Sequence, residues 1–193
     1  MENMEKQGFK ILVADDDEIA RDVITTLLSR EGYAVIPVMD GLEAINRLRL
    51  EEFHLVITDL MMPGADGIEV LKYARRTNPD IAVVILTAYG TLDTTLQAIK
   101  EGAYDYLTKP FKTLEISILA ERAYQRTLLL ADNRELRKSL RDTYRDIELL
   151  KNVAASNNPE TTTNWLERIE KLRSMNVLLP QEADTLKERL IKG

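Results

Sequence analysis

Apolar and polar positions alternate in two rhythms over the first 112 residues. Short, mostly β-branched apolar runs occupy residues 11–14, 33–36, 55–57, 81–86 and 104–107. Between them lie amphipathic stretches in which apolar residues recur at helical spacing, as with Ile19, Val23, Ile24, Leu27 and Leu28. Breakers fall at the joints: Glu31-Gly32, Met62-Pro63-Gly64, Asn78-Pro79 and Glu101-Gly102. Near-continuous apolar strands alternating with helices predict a parallel sheet covered on both faces, a doubly wound α/β domain over residues 1–112. In such sheets ligands gather beyond the carboxyl ends of the strands.

After Pro110 the pattern changes. Residues 113–155 contain neither proline nor glycine and read as one long helix. Residues 156–163, rich in Ser, Asn and Thr, read as a flexible linker, and residues 164–193 as a short helical hairpin broken near Leu179-Pro180. Within the long helix Leu119, Arg122, Arg126, Leu129, Asn133, Leu136, Leu140, Thr143, Ile147, Leu150 and Ala154 fall at alternating a and d positions. Asn133 at an a position specifies two strands, so a homodimeric coiled coil through residues 113–155 is expected.

Composition narrows the chemistry. The 193 residues are 45% hydrophobic and 30% charged, enough apolar residue for a sizeable core. There is no cysteine, which removes disulfides, thiolate metal sites and cysteine nucleophiles. The lone histidine, His54, precedes the third strand and reads as a surface residue without a role. A net charge of −6 makes nucleic acid an unlikely main partner. No signal peptide or membrane-length apolar run is seen, and a cytoplasmic protein is expected.

The strand ends carry the candidate chemistry. Strand one runs into Asp15-Asp16-Asp17, strand three into Thr58-Asp59, strand four into Thr87, and strand five into Thr108-Lys109-Pro110. Asp17 suits the N-cap of the next helix. Capping explains the other acids singly but not their convergence. Carboxylates packed together repel and need a cation, and Mg²⁺ takes one or two carboxylates with waters and phosphate oxygens. Lysine and threonine can then stabilise a phosphoryl group, for which an aspartate is the nucleophile.

The segments ILVADDDEIAR, HLVITDLMMPGADG, VVILTAYG and GAYDYLTKPF resemble bacterial response-regulator receiver domains over residues 9–112, in the subgroup that precedes sigma-54 activating ATPases. The resemblance implies a flavodoxin-like five-stranded sheet in the order 2-1-3-4-5. It places the acidic pair on Asp15 and Asp16, the phosphoacceptor on Asp59, the metal-binding backbone carbonyl on Met61, and the phosphate-pairing lysine on Lys109, whose bond to Pro110 is cis. The metal is Mg²⁺ and the phosphodonor a sensor histidine kinase. Thr87 and Tyr106 form a coupled switch, read out on the fourth helix, fifth strand and fifth helix. Met61 and Tyr89, flanking the acceptor, are placed to slow hydrolysis.

No G-x-x-x-x-G-K phosphate loop is present, so output is expected through protein–protein interaction or dimerisation with an unidentified downstream protein, without an ATPase domain or other enzymatic activity. The alternative is a transcriptional regulator that binds DNA through the C-terminal helices. WLERIEKLRSMNVLLPQEADTLKERLIKG resembles the short helical hairpins called SHOCT domains, which are associated with oligomerisation.

Overall fold

A computed structural model describes residues 5–88, 92–154, 159–175 and 178–192. A 3₁₀ turn at Lys6–Gly8 leads into β1 (Lys10–Ala14), α1 (Glu18–Arg30), β2 (Ala34–Val38), α2 (Gly41–Leu50), β3 (Leu55–Asp59) and α3 (Gly67–Thr77). Then follow β4 (Ala82–Thr87), α4 (Leu92–Lys100), β5 (Asp105–Thr108), α5 (Thr113–Ala154), α6 (Pro159–Ser174) and α7 (Pro180–Lys192). The strands form one sheet in the order β2-β1-β3-β4-β5, every pair parallel, as the resemblance implies.

Side-chain alternation sorts each central strand between two apolar layers. Ile11, Val13, Leu55, Ile57, Val84 and Leu86 join Ile24 and Leu28 of α1 on one face. Leu12, Val56, Val83 and Ile85 join Ala44, Val70, Leu71 and Ala98 from α2, α3 and α4 on the other. Both faces of β1, β3 and β4 are thus dry, which is why these strands lack polar alternation.

The receiver-like unit extends further than the sequence pattern places it. It closes at Ala131, not at residue 112, and a second unit begins at Asp132. Ile116, Leu119, Ala120, Ala123 and Tyr124 of α5 complete the α1-side layer. Leu119, a heptad position in the sequence, therefore packs against its own sheet. Polar contacts hold the same segment. Glu121 lies 2.9 Å from Lys6 Nζ and accepts hydrogen bonds from Tyr33 Oη (3.0 Å) and Gln125 Nε2 (2.9 Å). The Gln125 and Lys6 donors hold the Glu121 carboxyl down to about 2, and burial pushes the Tyr33 phenol up to about 12.

His54 also differs from expectation. It is half-buried, its ring stacked on Phe9 at 5.1 Å between centroids, and its Nδ1 accepts the Lys10 backbone N–H at 3.0 Å. It thereby pins β1 to the start of β3. Burial lowers its pKa below the ordinary 6.5. The unfolded chain consequently takes up this proton first as pH falls. Stability present above pH 6.5 is lost as pH drops through the lower folded value. His54→Gln, which keeps an acceptor but does not titrate, is expected to flatten that part of a melting-temperature profile against pH.

In the second unit Ile169 and Leu172 of α6 pack on Ala183 of α7, with Leu178 and Leu186 alongside. Lys187 pairs with Glu170 across the hairpin. Arg168 of α6 lies 2.7 Å from Asp146 of α5. Because α6 begins at Pro159, residues 159–163 belong to a helix rather than to the expected linker. Proline at a first helical position favours that start. Residues 155–158, Asn176, Val177 and Tyr89 lie outside the described residues, as do the side chains of Leu150, Trp165 and Leu190.

Candidate functional site

The parallel register brings the carboxyl ends of β1, β3, β4 and β5 to one edge: Ala14 pairs with Thr58, Asp59 with Leu86, and Thr87 with Thr108. Residues just beyond these pairs must then share a small volume. Asp15 is wholly buried, Asp59 only 6% exposed and Thr87 1%. Asp16 stands exposed beside them.

Lys109 unites the site. Its ammonium lies 2.8 Å from Asp15 Oδ2 and 2.7 Å from Asp59 Oδ1, so one cation bridges two buried carboxylates. The Lys109 backbone N–H donates to the Thr87 carbonyl at 2.7 Å, which locks the β5 exit against the β4 end. The Lys109–Pro110 bond is cis. The remaining Asp59 oxygen, Oδ2, accepts the Met61 backbone N–H at 2.7 Å. Asp15 Oδ1 accepts the Asp17 N–H at 3.0 Å, and the Asp15 carbonyl accepts from Arg21 Nη1 at 2.8 Å. Asp17 itself caps α1 through Ile19 and Ala20, as its position predicts.

Burial pushes the Asp15 carboxyl up against the downward pull of Lys109. For Lys109 burial opposes the charge, but the two carboxylates outweigh it and hold the ammonium above its ordinary pKa. Lysine is therefore a fixed positive charge here.

The donor set suits a hard cation. Asp15 Oδ2 is buried with the Lys109 ammonium 2.8 Å away, while the Asp16 carboxylate stands exposed beside it. Three carboxylates gathered at one edge against a single ammonium leave net negative charge there, which a further cation would offset. No group of three or more His, Cys, Asp or Glu is gathered for a metal among the described residues. Mg²⁺ does not require one, since it binds through one or two carboxylates and retains water.

Tyr106, the expected switch residue, is half-buried against the α2–α4 layer, and its hydroxyl lies 3.4 Å from Thr94 Oγ1 on α4. The bond ties the β5 aromatic to the helix that follows Thr87. Met61 is exposed at the rim.

Two supports of the site went unread in the sequence. Gly67 opens α3 directly under the acceptor: a Cβ there would lie 2.3 Å from the Asp59 carbonyl oxygen. Asp66 and Glu69 form a reciprocal capping box that fixes where that helix starts. The Asp-x-x-Glu spacing was a legible signal for the box. Nothing in a sequence marks Gly67 as a close approach rather than a turn.

A family model for the response regulator receiver domain matches residues 11–121. The transcriptional regulatory protein ZraR of Klebsiella oxytoca is 40% identical over 125 residues, 64% of this chain and 28% of that protein. The chain thus spans under a third of that relative's length. Among solved structures, the receiver domain of the Francisella response regulator 1452 superposes with a TM-score of 0.58 at 36% identity, covering 61% of this chain and 98% of that one. The beryllofluoride-activated NtrC4 receiver domain dimer does so at 0.57 and 30%, covering 60% and 96%.

Proposed function

Because this chain belongs to the response regulator receiver domain family, we propose that Asp59 accepts a phosphoryl group from the phosphohistidine of a sensor histidine kinase in the cytoplasm. The observation that carries the reading is Lys109 bridging Asp59 and Asp15 at the edge of the sheet. A carboxylate oxygen of Asp59 attacks phosphorus, the P–N bond to the donor imidazole breaks, and its electron pair returns to the ring nitrogen. Asp15, Asp16, Asp59 and the Met61 carbonyl would hold Mg²⁺, which when bound neutralises charge on the phosphoryl oxygens.

The chain's own groups do the rest. Lys109 exchanges its ion pair with Asp59 for one with a phosphoryl oxygen, retaining Asp15. The Thr87 hydroxyl donates to a second oxygen. As Thr87 shifts, Tyr106 leaves Thr94 and turns inward, a packing switch biased by new local charge. Readout falls on the adjoining surface, where Leu96 and Ile99 of α4 and Leu114 and Ile118 of α5 are exposed.

Output is through protein–protein interaction or dimerisation along α5, with the SHOCT-like hairpin in the same role. In the hairpin Lys187 and Arg173 lie beside Glu170, and Arg168 beside Asp146, which disfavours a phosphate-tracking face for DNA.

Incubation with a small phosphodonor such as acetyl phosphate tests the core of the proposal. Intact mass is expected to rise by one phosphoryl group with Mg²⁺ present and to stay unchanged with a chelator. Labelling indifferent to the chelator would defeat the metal assignment, and none under either condition would defeat the phosphoacceptor.

A further inference from the structure

Past its last contacts with the sheet, α5 enters a stretch that α6 borders only along the side carrying Glu135, Lys138, Ser139 and Asp142. Upstream, Leu119 and Tyr124 are in the sheet's own core, and Arg126 donates to the Asp80 carbonyl at 2.6 Å. Downstream, Thr143 and Asp146 line a groove with Arg168 and Leu172 of α6. From residue 131 to residue 142 every side chain is exposed. Leu129, Leu136 and Leu140 are 69%, 69% and 55% exposed. With Asn133 they fall at d, a, d and a in succession, one seam along one helix.

We infer that residues 129–140 of α5 pair with the same residues of a second copy, in parallel and in register. The inference rests on the dimeric output proposed above and adds its orientation and extent. Charge placement selects the occupant. With Asn133 at a, Asp132 is the preceding g residue and Arg137 the following e residue. In a parallel in-register pair, g of one helix faces e of the next heptad on the other, so Asp132 meets Arg137 of the second copy on both sides of the seam. Antiparallel helices would instead set g against g and e against e. Asn133 meeting its own copy satisfies an amide at an otherwise apolar layer, and only an in-register pair provides that match. The seam is short because the sheet claims the helix before Leu129 and the next seam position, Thr143, is half-buried in the groove beside α6.

The absence of native cysteine makes the test direct. Full-length Leu129→Cys and Leu136→Cys, each alone, are expected to form an interchain disulfide under mild oxidation, because facing positions bring Cβ atoms within bonding range. Ala131→Cys, on the outer face, is expected not to. Cross-linking at only one seam position would overturn the register, since an antiparallel pair cannot bring both 129 and 136 opposite themselves. Light scattering on the unsubstituted chain separates two failures: a dimer without either cross-link overturns this seam alone, while a monomer overturns the dimeric output as well. Asp132→Arg should weaken dimerisation on the order of tenfold, by turning two attractive pairs repulsive. Combining it with Arg137→Asp should restore the affinity; no restoration would overturn the parallel pairing.

Discussion

Asp59→Asn is expected to abolish phosphoryl labelling while leaving the fold in place. The amide oxygen can still accept the Met61 N–H that Asp59 Oδ2 accepts at 2.7 Å, and Lys109 keeps its contact with Asp15. What disappears is the anionic nucleophile, for which a neutral amide has no substitute. Two stability effects oppose one another: Lys109 loses one carboxylate partner, and Asp15 loses a repelling neighbour. The net change should be about 1 kcal/mol or less. Intact mass after phosphodonor treatment and a thermal melt check both halves. Persistent labelling of a folded variant would move the acceptor elsewhere. Loss of labelling with loss of fold would make the carboxylate structural, and leave the assignment to the chelator experiment.

Gly67→Ala should damage both stability and labelling, although residue 67 carries no chemistry. The added Cβ would sit 2.3 Å from the Asp59 carbonyl oxygen and 3.0 Å from Leu60 Cα. Both obstacles are backbone, so no side chain can rotate away. The Asp59–Leu60 backbone is itself held, since the Leu60 N–H donates to the Leu86 carbonyl at 2.7 Å and the Gly67 N–H to the Leu60 carbonyl at 2.9 Å. Relief requires moving α3 or bending the end of β3. Such overpacking costs about 1–3 kcal/mol, and backbone obstruction belongs near the upper end. Because the displaced atoms carry the acceptor, labelling should slow even where the variant is still folded. Denaturant unfolding and single-turnover labelling measure the two effects. Unchanged values for both would mean that α3 retreats freely, and that the close approach does not position Asp59.

Much of this protein was legible before any coordinates. Unbroken apolar runs and a 3.6-residue periodicity predict the five strands and intervening helices, because burial on both faces of a sheet removes polar alternation and burial of one face of a helix leaves a repeating mark. The identity of the strand-end residues predicts the candidate chemistry, since few combinations of acids, threonine and lysine suit one edge of a parallel sheet. The strand order came from family resemblance and not from periodicity, which carries no information about which strands are neighbours.

Other features depended on contacts between residues far apart in the chain. His54 reads as a surface residue until Phe9 stacks on it and Lys10 donates to it. Lys109 reads as one phosphate partner until its ammonium is found spanning Asp15 and Asp59. Leu119 and Leu136 share one heptad pattern, yet the first is buried in the sheet's core and the second is exposed. The sequence by itself determined that α5 is a helix with an apolar stripe, because that follows from local spacing. Only the tertiary structure decided where its stripe serves the receiver and where it is left exposed, because burial depends on which surfaces the fold brings against it.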